Sequence, residues 1–248
     1  MVGRRAAGEP LEHILGWAEF CGLRIAVEPG VFVPRRRTEF LVHQAVQLAA
    51  PGAVIVDLCC GTGAIGAALA AAVPAAKVHA ADIDPAAVRC ARRNLSAQCL
   101  PERARRASRR AAAQGLPERA RRASRRAAAQ VHHGDLYAAL PSGLRGRVGI
   151  VVANVPYVPS GEIALLPAEA RAHEPTCALD GGGDGLNVLR RVAAGAPQWL
   201  APGGHLLIET SARQAPAAAE AFTACGLAAS VAASAELGAT VVIGTVPR

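Results

Sequence analysis

Short apolar runs alternate with helical segments through most of this chain. Four of these runs predict buried strands, at residues 54–58, 77–82, 148–153 and 204–209. Four intervening or following segments have the length and pattern of helices, at residues 64–73, 85–95, 186–200 and 215–225. Strands that alternate with helices predict an α/β fold with a doubly wound, mostly parallel sheet, and two last runs near 227–233 and 240–246 predict a hairpin-like pair.

The charge of the chain is concentrated in one segment. The net charge of +8 suggests a nucleic-acid partner, but residues 100–114 and 116–130 are identical copies of LPERARRASRRAAAQ, each with five Arg and one Glu. These copies account for the whole excess, so the rest of the chain is balanced. We expect residues 100–130 to be an insert that either contacts ribosomal RNA through its arginines or is a solvated excursion without a role.

Polar or glycine-rich residues follow three of the predicted strands and the short segment at residues 131–133, which we take as a further strand end. In doubly wound sheets ligands bind outside the carboxyl ends of the strands, so these residues are the candidate site. They are the segment from Asp57 to Gly63, Asp82, the pair Asp135 and Leu136, and the segment from Asn154 to Tyr157.

The first two strand ends predict a site for a nucleoside. Gly61 and Gly63 let the backbone turn sharply beside a ligand, and Asp82 is placed to accept hydrogen bonds from ribose hydroxyls. Gly61, Gly63 and Gly66 also match the dinucleotide pattern G-x-G-x-x-G literally, which keeps a nicotinamide cofactor open as an alternative.

The segment Asn154-Val155-Pro156-Tyr157 suits a planar amino group. The Asn154 side-chain oxygen and the Val155 carbonyl can each accept one hydrogen from an NH₂ group, while the Tyr157 ring packs on the flat face of the substrate. Pro156 keeps Val155 out of the helical region. A plain turn after a buried strand, with Tyr157 as a surface cap, is the alternative interpretation.

The ordered set of motifs along the chain resembles one family. The resemblance rests on Gly8 to Gly16 (GEPLEHILG), Val33 to Glu39 (VPRRRTE), Asp57 to Gly63, Asn154 to Tyr157, and the stretch from Glu174-Pro175 through LDGG at 179–182 to Asp184-Gly185-Leu186. This set resembles the S-adenosylmethionine-dependent protein-(glutamine-N5) methyltransferases that modify peptide-chain release factors. The resemblance implies a Rossmann-like methyltransferase fold with a mostly parallel seven-stranded sheet.

The resemblance also implies residue roles. The cofactor S-adenosylmethionine would be bound by Asp57, Cys59, Gly61, Thr62, Gly63, Asp82, Asp135, Leu136 and Asn154. Asp57, Gly61 and Gly63 would lie at its methionine end, Asp82 at the ribose, and Asp135 with Leu136 at the adenine. The catalytic segment would be Asn154, Val155, Pro156 and Tyr157, which would hold the glutamine amide. A release factor is the implied protein partner.

Three features depart from the family pattern. Cys59 stands where the family has glycine, and its Cβ would weaken cofactor binding if this position requires a positive φ. Val155 replaces the first proline of Asn-Pro-Pro-Tyr. The family carries a helical recognition domain before the Gly-Glu-Pro motif, and we expect residues 1–45 to be its remnant and a linker with a short hairpin, followed by a methyltransferase domain at 46–248 that the insert interrupts.

Two other functions compete with glutamine methylation. The same acceptor geometry suits the amino group of adenine or guanine, and the Arg-rich insert could hold a nucleic acid. Cys59, Val155 and the short N-terminal part are also compatible with a degenerate, non-catalytic methyltransferase fold that binds RNA.

The remaining sequence features predict reduced thiols, no metal site and a cytoplasmic location. The seven cysteines include no C-x-x-C pair, and His132-His133 has no ligand set around it. Glu9 and Glu12 stand where a signal peptide would be apolar, and no apolar run is long enough to span a membrane. Arg35 and Glu39 are expected to form a surface ion pair or to order a loop near the cofactor.

Overall fold

The computed structural model describes residues 2–98 and 128–248. Its main sheet has seven strands in the order β5-β4-β3-β6-β7-β9-β8. In chain order these are β3 (Val54–Leu58), β4 (Lys77–Asp82), β5 (Ala128–His133), β6 (Val148–Ala153), β7 (Leu200–Thr210), β8 (Ala228–Ser234) and β9 (Ala239–Thr245). Strands β3 to β7 are mutually parallel, and β9 runs antiparallel to β7 and β8. The predicted doubly wound sheet with a final antiparallel pair is confirmed.

Helices cover both faces of this sheet. The helices within the described residues are α1 (Val2–Ala6), α2 (Leu11–Leu15), α3 (Glu39–Leu48), α4 (Ala64–Ala72), α5 (Pro85–Gln98), α6 (Ala168–His173), α7 (Asn187–Trp199) and α8 (Ala215–Ala224). Helices α3, α4 and α5 contribute to the core on one face, and α7 and α8 contribute to the core on the other. None of the helices within 2–98 and 128–248 is long and apolar enough to cross a membrane.

The strand order places a crevice beside β3. The chain passes from β3 outward to β4 and β5, and then returns to β6 on the other side of β3. Adjacent parallel strands whose connections leave in opposite directions open a crevice at their carboxyl ends, which is where ligands bind in such sheets. The apolar runs that form β3 and β6 are almost wholly buried. The residues that follow these strands are therefore the first that reach solvent.

The predicted start of α5 is confirmed. Asp84 Oδ1 accepts the backbone N–H of Ala86 at 2.8 Å, and Pro85 occupies the first helical position. The start of β7 differs from the prediction of residue 204, because the strand begins at Leu200 and includes Pro202 and Gly203, which favour turns. Val148 pairs with Leu200 and Ile150 with His205, so the irregular register absorbs the turn residues.

The N-terminal hairpin belongs to the core of the sheet. Strands β1 (Trp17–Phe20) and β2 (Leu23–Ala26) bury Phe20 and Ile25 with α3 and α4. Asn94 of α5 joins this hairpin to the body, since its side chain accepts from the Ala26 N–H at 2.8 Å and donates to the Ala26 carbonyl at 2.9 Å. The expected short hairpin is therefore present, and the boundary placed between residues 45 and 46 falls inside α3.

The second repeat copy ends inside the sheet. Residues 128–130, which were predicted to belong to the insert, are the first half of β5 and pair with residues 77–79 of β4. The rest of the predicted insert, from 100 to 127, lies outside the described residues, and so does the predicted contact of its arginines with RNA.

Candidate functional site

A cleft of about 1050 Å³ opens at the carboxyl ends of β3, β4 and β6. Ten of the twelve sequence-predicted site residues line it, namely Cys59, Gly61, Thr62, Asp82, Asp135, Leu136, Asn154, Val155, Pro156 and Tyr157. Within the described part of the chain, the other two lie behind its wall. Asp57 is fully buried at the end of β3, and Gly63 begins α4 against Ala91 of α5.

The backbone N–H groups of the three glycines in this loop are bound within the protein. Gly61 donates to Asp82 Oδ2 at 2.8 Å, Gly63 to the Cys60 carbonyl at 2.7 Å, and Gly66 to Asp57 Oδ2 at 2.8 Å. A loop that binds a diphosphate keeps such N–H groups free for the phosphate oxygens. The N–H groups of these three glycines are therefore not available to a diphosphate, which argues against the nicotinamide alternative.

Asp57 is a buried carboxyl group directly beneath this loop. Its Oδ2 is held by Gly66, while its Oδ1 is buried with no hydrogen-bond partner among the described residues. Burial raises the pKa of Asp57 to about 7, with a further contribution from the negative charge of Asp82. A carboxyl group in this position adds negative potential to the floor of the cleft when it ionises.

The raised pKa of Asp57 has a consequence for stability. Because this pKa is higher in the folded chain than in the unfolded chain, protonated Asp57 favours folding, and this contribution is lost as the pH rises from about 4 to about 7. In urea unfolding without ligand, the free energy of unfolding of the wild type minus that of Asp57→Asn should fall over this range and then level off. A difference that stays constant from pH 4 to pH 8 would contradict the buried carboxyl assignment.

Cys59 adopts a backbone conformation that favours glycine. Its φ is +53°, and the chain continues into Gly61 with φ also at +53°. Left-handed backbone costs a side-chain-bearing residue roughly 1–2 kcal/mol because Cβ approaches the following carbonyl. The condition stated for this position, a positive φ, is therefore met. Burial raises the pKa of the Cys59 thiol well above its usual range, helped by Asp82 and Asp57, so the group is a neutral thiol.

Cys59→Gly should therefore stabilise the protein. Relief of the left-handed strain exceeds the entropy that glycine loses on folding, and we expect a gain of about 1 kcal/mol in the free energy of unfolding. The substitution also removes a side chain from the cleft, so if the expected S-adenosylmethionine binds there, its affinity in calorimetry should rise. Cys60→Gly is the matched control, because Cys60 has no positive φ and is buried; it should lose stability. Equal effects of the two substitutions would exclude this account.

One end of the cleft is acidic. Asp82 Oδ1 accepts the Asp84 N–H at 2.9 Å in addition to the bond of its Oδ2 with Gly61, and burial raises its pKa. Ile83 beside it is 58% exposed on the cleft wall. Asp135, which also lines the cleft, pairs with Arg191 of α7 at 2.5 Å. Each Asp82 oxygen still has a free lone pair, so this end can accept hydrogen bonds from hydroxyl groups and favours a positively charged ligand.

The other end of the cleft presents two oxygen acceptors. Asn154 follows β6 and donates its Nδ2 to Thr38 Oγ1 at 3.3 Å, which leaves its Oδ1 for another donor. Val155 is buried, and no donor to its carbonyl is found within residues 2–98 and 128–248. Thr38 itself is buried at the start of α3. Both acceptors were predicted from the sequence, but Thr38, which orients one of them, was not.

Tyr157 is held at both of its ends. Its hydroxyl accepts a hydrogen bond from Arg37 Nη2, and Arg37 Nε donates to Glu209 Oε1 at 2.9 Å. Its backbone carbonyl accepts from Gln214 Nε2 at 2.9 Å. Tyr157 is therefore a fixed part of the cleft wall and not a surface cap. Arg37, Glu209 and Gln214 were missed from the sequence.

A glycine-containing loop packs against the backbone of this segment. A Cβ on Gly181 would lie 2.7 Å from the Pro156 carbonyl oxygen, and one on Gly185, whose φ is +78°, would lie 2.3 Å from the Tyr157 carbonyl oxygen. Val158 also forms a β-bridge with Asp180. This loop is the stretch from LDGG at 179–182 to Asp184-Gly185-Leu186. Its glycines allow it to pack closely against the backbone of residues 154–157, the acceptor segment.

Comparison with known proteins identifies the family of this chain. A family profile described as "Methyltransferase small domain" matches residues 22–115. A release factor glutamine methyltransferase of Geobacter sulfurreducens is 35% identical over 226 residues, which cover 91% of this chain and 69% of that protein. The chain belongs to the release factor glutamine methyltransferase family. Seven relatives with this name share 34–39% identity with it, and it spans 63–72% of their lengths.

Two further comparisons mark the breadth of the family and its fold. A 4-amino-L-phenylalanine/4-methylamino-L-phenylalanine methyltransferase of Streptomyces pristinaespiralis is 35% identical over 232 residues, covering 91% of this chain and 69% of that protein. A methyltransferase from Pyrococcus furiosus has the same fold, with a TM-score of 0.62 at 16% identity, and the match covers 99% of this chain and 100% of that one. The expected Rossmann-like methyltransferase fold is confirmed.

The family motif around Arg35 makes a different ion pair from the one expected. Arg35 pairs with Glu174 at 2.5 Å, while Glu39 Oε1 accepts the backbone N–H of Cys21 at 2.9 Å. Glu174 is buried and also accepts from the Val33 N–H at 3.4 Å. The surface ion pair between Arg35 and Glu39, one of the two interpretations from the sequence, is not formed, because α3 turns Glu39 toward the hairpin. The contact of Arg35 with Glu174 fits the other interpretation, in which this segment orders a loop. Arg35 instead joins the N-terminal strap at 33–39 to the loop after α6.

Proposed function

We propose that this cleft binds S-adenosylmethionine and transfers its methyl group to the side-chain amide nitrogen of a protein glutamine, in a peptide-chain release factor. The observation that carries the proposal is the pair of available acceptors, Asn154 Oδ1 and the Val155 carbonyl, beside the fixed Tyr157. Two adjacent oxygen acceptors match the two N–H bonds of an amide NH₂ group. The names of the relatives support glutamine as its source.

The residues at the acidic end fit the proposed cofactor. S-adenosylmethionine, when bound, supplies an electrophilic methyl group on a positively charged sulfur. The buried Asp57, when ionised, and the partly buried Asp82 lower the energy of a nearby cation, and Asp82 retains acceptor capacity for ribose hydroxyls. Ile83 provides an exposed apolar surface for a base. The glycine loop has no free N–H groups at Gly61, Gly63 or Gly66 for a phosphate, so a cationic nucleoside fits better than a dinucleotide.

The acceptor residues act by alignment. An amide nitrogen is a poor nucleophile because its lone pair is delocalised, and fixing its direction is the contribution that Asn154 and Val155 can make. Well-oriented reacting groups gain roughly 7–11 kcal/mol over free encounter. Thr38 holds the Asn154 carboxamide so that its oxygen faces the cleft, and Tyr157 limits the tilt of the amide plane.

Labelled methyl transfer tests the proposal. The protein is incubated with methyl-labelled S-adenosylmethionine and a release factor, with the variant of that factor lacking its Gly-Gly-Gln glutamine as the matched control. We expect label in the first and none in the second. Label only in 4-amino-L-phenylalanine, or only in RNA or DNA, would show that the substrate is that compound and not a protein glutamine. Failure to bind S-adenosylmethionine in calorimetry would favour the non-catalytic alternative.

A further inference from the structure

Arg37 lies between a cleft residue and a buried acid. Its Nη2 donates to the Tyr157 hydroxyl, and its guanidinium carbon is 5.7 Å from the centre of the Tyr157 ring. On its other side, its Nε donates to Glu209 Oε1 at 2.9 Å. Three distant segments meet here, since Arg37 comes from the strap at 33–39, Tyr157 follows β6, and Glu209 is near the end of β7.

Glu209 constrains Arg37 more strongly than a surface partner would. Glu209 is only 2% exposed, and its Oε2 is buried without a hydrogen-bond partner among the described residues. A carboxylate removed from water in this way depends on its cationic partner, because an unpaired buried charge is costly. The Arg37 Nε is thereby fixed on Glu209. Since the guanidinium is planar, this also fixes the direction in which Nη2 points.

We infer that Arg37 and Glu209 are a positioning pair for Tyr157, in which Glu209 orients Arg37 and Arg37 orients the Tyr157 ring beside the two acceptors of the cleft. The effect on catalysis rests on the proposed function, whereas the effect on Tyr157 does not. Burial raises the pKa of Tyr157, and the positive charge of Arg37 opposes this rise, so Arg37 is close enough for its loss to change the environment of the hydroxyl.

The two tyrosines of the chain give a direct readout of this pair. Carbon-13 label at the ring carbon that bears the hydroxyl yields one NMR signal for Tyr137 and one for Tyr157, assigned with Tyr157→Phe. Arg37→Met and Glu209→Gln should each shift or broaden the Tyr157 signal and leave that of Tyr137, which donates to the Val192 carbonyl from the core, in place. Arg36→Met is the matched control, because Arg36 is exposed and does not line the cleft.

Kinetics then separate positioning from a structural ion pair. Arg37→Met should lower kcat by about 10- to 100-fold, with a smaller change in the KM for the cofactor. If Arg37 acts through Tyr157, adding Arg37→Met to Tyr157→Phe should cost little more than Tyr157→Phe alone. Glu209→Gln, which keeps the shape of the side chain, should show the same dependence on Tyr157.

The outcomes distinguish this inference from the proposed function. An unchanged Tyr157 signal in Arg37→Met and Glu209→Gln would overturn the inference, whatever the substrate, since the NMR measurement uses neither substrate nor cofactor. Losses in kcat that multiply in the double variant would overturn it as well. A moved Tyr157 signal in a protein that methylates no glutamine would contradict only the proposed function.

Discussion

Asn154→Ala is expected to lower kcat for methyl transfer by about 100-fold or more. The substitution removes one of the two acceptors, so an amide held by the Val155 carbonyl alone can rotate, and a misplacement of about 1 Å is enough for a loss of this size. The measurement is single-turnover transfer of labelled methyl at saturating cofactor. Cofactor affinity in calorimetry should change much less than kcat.

Substitutions at Thr38 provide the matched controls for this result. Thr38→Val removes the hydroxyl that holds the Asn154 Nδ2, while Thr38→Ser keeps it. The valine variant should lose activity in the same direction as Asn154→Ala but less, and the serine variant should stay close to the wild type. An Asn154→Ala protein with nearly normal kcat would contradict the proposed role of the Asn154 side chain in holding the substrate amide.

Gly185→Ala should lower the free energy of unfolding by about 3 kcal/mol. Its φ of +78° is unfavourable for alanine, and the new Cβ would lie 2.3 Å from the Tyr157 carbonyl oxygen and 2.4 Å from Gln214 Nε2. The loop must move away from the acceptor segment, which also breaks the hydrogen bond from Gln214 to Tyr157. Urea unfolding at neutral pH measures the effect.

Gly183→Ala is the matched control in the same loop. A Cβ at Gly183 has no atom within 4 Å, and its φ is not positive. We expect its stability to lie within about 0.5 kcal/mol of the wild type. Similar stabilities for the two alanine variants would show that close packing against Tyr157 is not what this loop contributes.

The sheet could be predicted where local pattern decides structure. Strands β3, β4 and β6 have the predicted bounds, because each is a buried apolar run between turn residues. Helix α3 was not predicted, since its apolar residues acquire a partner only when β7 and α4 are assembled beside it. The first half of β5 was hidden for a similar reason, because its sequence, Ala128-Ala129-Gln130, becomes a strand through pairing with β4.

The site could be predicted as far as strand ends reveal it. Chain topology brings the carboxyl ends of parallel strands together, so ten cleft residues followed from their positions after strands. Their supporting partners did not follow. Arg37 is 120 residues from Tyr157 and 172 from Glu209 along the chain. No local sequence pattern links one arginine of an Arg-Arg-Arg run to a glutamate at the end of a distant strand. Those contacts depend on the assembled sheet.

The sequence of β5 does not depend on how many copies of the repeat precede it. Its first three residues, Ala128-Ala129-Gln130, have identical counterparts at residues 112–114, and both copies begin with the same Leu-Pro-Glu. A chain from which residues 100–115 are deleted keeps the same neighbours after α5 and before Val131, and loses a net charge of +4 without change to any described residue. Deletion of one copy therefore leaves the edge strand, and the Asp135 that follows it, unaltered in sequence.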